Sequence, residues 1–78
     1  MTDEKYVPMN VVCREYLADL DVTPDSLDWQ QRQGLRAELI RERALIPGAG
    51  KRRALYLPSR TRAVVIDWLH RRMGGQAA

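Results

Sequence analysis

A mainly α-helical domain with one small β-hairpin, arranged as a winged helix-turn-helix, is the fold class this sequence predicts. Three observations lead there. Met9, Val12, Cys13, Tyr16, Leu17 and Leu20 recur at i, i+3, i+4, i+7, i+8 and i+11, which lays one apolar stripe along a helix. Pro47-Gly48-Ala49-Gly50-Lys51-Arg52-Arg53-Ala54-Leu55-Tyr56-Leu57-Pro58 reads as a tight basic turn feeding a short apolar strand. An apolar segment, Ala63 to Leu69, then runs toward Gly74-Gly75 with helical spacing.

The elements follow in order along the chain. Residues 1–5 are polar and are expected to fray, and Tyr6-Val7 has the pattern of a short strand. Pro8 suits the first turn of the helix that carries the stripe. After Asp21-Val22, Thr23 is a good N-cap, Pro24 falls at the first helical position, and Asp25 complements the positive end of the helix dipole. A second helix begins there, and Gly34, following Gln30-Gln31-Arg32-Gln33, is expected to break it. Leu35, Leu39 and Ile46 share a face with Glu42 between them, so the spacing predicts a helix over 35–46 that Pro47 ends. Ser59 is the expected N-cap of a last helix from Arg60 to Met73, closed by Gly74-Gly75. The domain is thus expected over residues 6–73, with a flexible tail at 74–78 and Gln76-Ala77-Ala78 disordered.

Seventy-eight residues suffice for one domain. Such a chain buries only about 60% of its unfolded surface, so its core is small. The chain is 45% apolar and 29% charged, an ordinary globular composition, and contains no run near the 18 or so apolar residues a membrane span needs. Met1 to Pro8 is acidic and polar where a secretory leader would be basic and then apolar, so a cytoplasmic location is expected. The last helix is apolar around much of its circumference through Ala63, Val64, Val65, Ile66, Trp68, Leu69 and Met73, which suggests a homodimer built on Arg60 to Met73.

Catalytic chemistry finds little to work with. Cys13 is the only cysteine and His70 the only histidine, so the chain offers no internal disulfide and no four-ligand metal set. Cys13 reads as a core residue, His70 as a surface one, and Trp29 and Trp68 as core aromatics. No nucleophile, base and acid arrangement is apparent, and neither a cofactor nor a small-molecule substrate is expected. Gly48-Ala49-Gly50-Lys51 fails as a phosphate-binding loop, because Leu45 stands where the first glycine belongs and Arg52 replaces the hydroxyl residue.

Charge is segregated along the chain. Residues 1–30 carry seven acids and two bases, a balance of −5, whereas residues 31–78 carry eleven bases and three acids, a balance of +8. A basic face on a small protein favours polyanions, and eleven of the thirteen cations are arginine, whose planar fork suits phosphate and guanine. Lys51, Arg52 and Arg53 at a hairpin tip are placed to touch phosphates. Gln30, Gln31, Arg32, Gln33 and Arg36 form a second group, since Gln pairs with adenine and Arg with guanine in the major groove. Arg41 and Arg43 are the polar neighbours of the third helical face, and Arg60 and Arg62 stand near the start of the last helix, where they would position a phosphate backbone.

Tyr6-Val7-Pro8-Met9-Asn10-Val11-Val12-Cys13-Arg14-Glu15-Tyr16-Leu17 resembles the opening of small phage-type regulators, including the pyocin-activator family and phage excisionases with a MerR-like winged helix. Leu55-Tyr56-Leu57 and Val65-Ile66-Asp67-Trp68-Leu69 resemble the last strand and helix of those families, while 35–50 has more helical pattern than they do. The resemblance implies a small regulator of transcription or of phage recombination direction. Double-stranded DNA is the expected partner, with Gln30 to Arg36, or alternatively Leu35 to Arg43, in the major groove. The alternative is a small phage or bacterial protein-interaction module that inhibits or adapts a host protein. Structured RNA is a third possibility, without an apparent stacking platform.

Overall fold

The structure is a computed structural model that describes the backbone of residues 4–77 and the side chains of residues 4–72. Its four helices are α1 (Met9–Tyr16), α2 (Pro24–Gln30), α3 (Arg36–Arg41) and α4 (Pro58–Ala77), and a hairpin of β1 (Leu45–Ile46) and β2 (Leu55–Tyr56) separates the last two. The fold is therefore mainly helical with one antiparallel hairpin.

α1 starts immediately after Pro8, whose carbonyl accepts from the Val11 and Val12 N–H groups. The stripe predicted a helix through Leu20, but α1 stops at Tyr16 and a single tighter turn, Ala18–Leu20, follows. Asp21 closes that turn in the left-handed region at φ 57°, with its N–H on the Ala18 carbonyl and the Val22 N–H on the Leu17 carbonyl. The reversal delivers both Leu17 and Val22 to the core, which a straight helix would not.

α2 begins as its sequence predicts. The Thr23 hydroxyl accepts from the Ser26 N–H, and the Ser26 hydroxyl accepts from the Thr23 N–H, a reciprocal cap with Pro24 inside it. Beyond Gln30 the helical path continues to Gln33, and Gly34 at φ 119° kinks the chain before Leu35 leads into α3. Its φ is one that L side chains rarely adopt, and a Cβ there would lie 3.3 Å from the Trp68 indole, which would have to give by a few tenths of an ångström.

α3 departs from expectation at its end. The predicted helix over 35–46 closes at Arg41, because Arg43 takes φ 60° while its N–H bonds the Ile40 carbonyl and the Ala44 N–H bonds the Leu39 carbonyl. Leu45 and Ile46 are released as a strand in register with Tyr56 and Leu55. Strand pairing buries Leu45 against Tyr56, a long-range gain that helical periodicity within one segment does not reveal.

Tyr56 is paired on both sides. Its N–H and carbonyl exchange two 2.7 Å hydrogen bonds with Val7, the short extended segment the sequence suggested, and its other neighbour is Leu45. Between the strands, the Arg52 N–H closes a turn on the Ala49 carbonyl at 2.9 Å, with Gly50 at φ 58° in its first central position, as in a type II′ turn. Gly48 has no room for a side chain, since a Cβ there would sit 2.5 Å from the Arg52 carbonyl oxygen.

α4 begins earlier than Arg60 and continues past Gly74-Gly75 to Ala77. Glycine weakens a helix interior by about 1 kcal/mol but does not forbid it. Ser59 lies inside the helix and is not its N-cap. Its N–H and hydroxyl both donate to the Glu4 carboxylate, at 3.1 and 2.6 Å. Glu4 is therefore held in a segment expected to fray; Met1 to Asp3, like Ala78 of the expected tail, lie outside the described residues.

The core joins Val12, Leu17, Leu27, Leu35, Leu39, Tyr56 and Val65 from all four helices and the hairpin. Cys13 belongs to it, and burial pushes its thiol up to about 11, which leaves no thiolate at neutral pH. Thr61 is fully buried and donates to the Ala44 carbonyl at 3.3 Å, so its hydroxyl is satisfied. Trp68 packs on the core while Trp29, expected there too, is 51% exposed. Arg62 locks α4 to the end of α1 through a bidentate pair with Asp19, at 2.7 and 2.8 Å, and a 2.7 Å bond to the Tyr16 carbonyl.

Two substitutions should move stability in opposite directions. Gly34→Ala is expected to cost about 1–3 kcal/mol, and Arg43→Gly to gain up to about 1 kcal/mol by relieving a left-handed arginine, both read from urea midpoints at constant slope. A third effect concerns pH. The hydrogen bonds from Arg62 hold the Asp19 carboxyl below its ordinary value, and those from Arg71 do the same for Glu38. A depressed carboxylate stabilises above its unfolded pKa and loses that contribution as pH falls through the folded value. Urea midpoints should therefore drop below about pH 4, and Asp19→Asn should drop less over that window than the natural chain.

Candidate nucleic-acid interface

The hairpin carries Lys51, Arg52 and Arg53 on an exposed connection, and among the described residues none of the three makes an ion pair or side-chain hydrogen bond. Their position follows from the pairing of Tyr56 with Val7, which sets the foot of the hairpin against the start of α1. A hollow lined by Pro8, Met9, Asn10, Pro24, Arg53 and Tyr56 lies there. Burial holds the Tyr56 hydroxyl above its ordinary pKa. The Gln31 amide, just past α2, reaches that hydroxyl and sets the end of α2 against the hairpin.

The polar group around α2 divides in two. Gln31 Nε2 donates to the Tyr56 hydroxyl at 2.9 Å, and Gln30 Oε1 accepts from Trp68 Nε1 at 2.7 Å and from Arg72 at 3.4 Å. These two amides tie α2 to the hairpin and to α4. Arg32, Gln33 and Arg36 are exposed, as are Asp25, Asp28 and Trp29. Arg32 pairs with Asp28 one turn earlier at 3.0 Å, and Arg36 carries no partner among the described residues. Arg72 lies 5.5 Å from the centre of the Trp29 ring and 5.7 Å from that of Trp68, a cation held between two aromatic faces.

The arginines of α3 and α4 are mostly engaged. Arg41 reaches Glu38 and Glu42 at 3.8 Å, while Arg71 bonds Glu38 and pairs with Asp67 at 3.0 Å. Arg60 donates to the Glu42 carbonyl at 3.1 Å, and Arg62 is the clamp on Asp19. These contacts line a mixed-charge groove between α3 and α4. Arg43 is exposed and unpaired among the described residues, with its carbonyl taken by the Tyr6 hydroxyl. Among the described residues the structure thus leaves Lys51, Arg52, Arg53, Arg36 and Arg43 without a partner and commits Arg41, Arg60 and Arg62 to internal contacts.

The broad apolar surface of α4 is turned inward. Val65 is buried and Val64, Trp68 and Leu69 pack on the core, whereas Ala63 is exposed and the side chain of Met73 lies outside the described residues. The exposed large apolar residues described are Tyr16, Trp29, Ile40 and Ile46. His70 is exposed, as its sequence context suggested. Among the described residues no cluster of His, Cys, Asp or Glu is placed to hold a metal ion, and no helix is long and apolar enough to cross a membrane.

Trp29 is the surface residue that the sequence reading missed. Its spacing held the signal: with Leu27 inward, positions 25, 28, 29, 32 and 33 fall on the outer side of α2. No family model, curated protein or solved structure matches this chain.

Proposed function

We propose that the chain binds double-stranded DNA as a winged helix-turn-helix, with α1 and α2 as the paired helices and the hairpin as the wing. The observation that carries this reading is the run of three cations, Lys51 to Arg53, exposed and without a partner among the described residues, on a hairpin whose Tyr56 accepts a hydrogen bond from Gln31 just past α2. Cations that already hold carboxylates gain little from phosphate, whereas free ones release condensed counterions when they bind. The tight reversal at Asp21 supports α1 and α2 as a unit.

Of the two candidate recognition segments, the one around Gln30 to Arg36 is favoured over Leu35 to Arg43. Glu38, Arg41 and Glu42 of α3 are engaged with one another and with α4, and its carboxylates would face phosphates unfavourably. The wing would grip the backbone while α2 approaches the major groove. A small regulator of transcription or of recombination direction fits that chemistry.

Fluorescence anisotropy with duplex DNA at several salt concentrations tests this reading. The natural chain should bind with a steep salt dependence. Replacing Lys51, Arg52 and Arg53 together by Ala should weaken all duplexes about equally and flatten the slope of log K against log salt by up to about 3. Absence of binding at low salt would overturn DNA binding and favour a protein partner, for which the exposed Trp29, Ile40 and Ile46 are the available apolar contacts.

A further inference from the structure

We infer that base recognition lies with Trp29, Arg32 and Gln33, on the outward row that runs from α2 into the helical residues just past it, and not with the neighbouring glutamines Gln30 and Gln31. This rests on the DNA-binding reading and goes beyond it by fixing which side chains select sequence. Gln30 and Gln31 each have a polar partner inside the molecule, the Trp68 indole N–H and the Tyr56 hydroxyl. A bidentate contact to adenine needs both the oxygen and the nitrogen of the amide, so either glutamine would have to abandon its internal bond to read a base. Breaking the bond to Tyr56 would leave a buried hydroxyl unsatisfied.

The outer row has the opposite character. Gln33 is exposed and its amide has no partner among the described residues, so both halves are free for an adenine edge. Arg32 is exposed and oriented along the helix by Asp28 at 3.0 Å, which engages one terminal nitrogen and leaves other donors for the O6 and N7 of guanine. Trp29, one turn earlier on the same row, offers an apolar face that fits a thymine methyl group. Asp25 places negative charge at the start of this row, which turns phosphate away from that end, while Asp28 is paired with Arg32. The sequence class expected is therefore a mixed site in which a guanine and an adenine are read by adjacent residues.

The test is selection of bound duplexes from a randomised library by the full chain, followed by affinity measurements on the selected site. Arg32→Ala should abolish preference at one guanine and Gln33→Ala at one adenine. Each should weaken the selected site by about 5- to 150-fold and leave binding to unrelated duplex within about threefold. Gln30→Ala and Gln31→Ala should keep the selected sequence; thermal melts verify that each variant remains folded. Loss of base preference in folded Gln30→Ala or Gln31→Ala, with preference retained in Arg32→Ala and Gln33→Ala, would overturn the inference. So would a natural chain that binds duplex in a salt-dependent way but enriches no sequence, an outcome that leaves DNA binding itself standing. A chain that does not bind duplex at all would overturn both.

Discussion

Tyr56 is the residue through which the separate parts of this small domain are held in one geometry. Its backbone pairs with Val7 on one side and Leu45 on the other, and its hydroxyl takes the Gln31 amide. The side chain is almost wholly buried. A two-residue hairpin strand has little stability alone, and flanking it with a third extended segment and a packed aromatic ring is what fixes it. Because the same ring contacts the end of α2, the direction of the hairpin and the position of α2 are set together.

Gly34 is the second constraint, and it acts on the other side of α2. The bend allows the Trp68 indole to lie against the backbone, and the indole N–H then holds Gln30. α2 is thereby fastened at its end by Tyr56 and Trp68 from two directions. What remains outward is a narrow row of polar residues with one exposed tryptophan. The arginines divide in a similar way, with Arg41 of α3 and Arg60, Arg62 and Arg71 of α4 occupied by carboxylates or carbonyls, and Arg36 and those of the hairpin without a partner among the described residues. Net charge alone does not distinguish these two populations, although it is the second that a polyanion would meet.

The cap at Thr23, the break at Gly34, the glycine turn at 48–50 and the core role of Cys13 were legible from the chain, because each depends on local chemistry. The end of α3 was not. Leu39, Glu42 and Ile46 keep helical spacing, and only the long-range pairing with Tyr56 and Leu55 makes a strand the better use of Leu45 and Ile46. The same limitation applies to the polar run at 30–33. Four adjacent polar residues look equivalent in sequence, yet two of them meet partners from β2 and α4, more than twenty residues away. Glu4 shows it again, since a residue near a polar terminus is fixed by Ser59 across the length of the domain.

We propose that the hairpin and the outward row running from α2 to Gln33 form one nucleic-acid surface. Amide-resolved NMR during titration with duplex DNA tests that claim most directly. Shifts concentrated at 49–54 and 28–36, with the groove formed by Glu38, Arg41, Arg60 and Asp67 unmoved, are the predicted result. Shifts centred on that α3–α4 groove, with the hairpin silent, would contradict it.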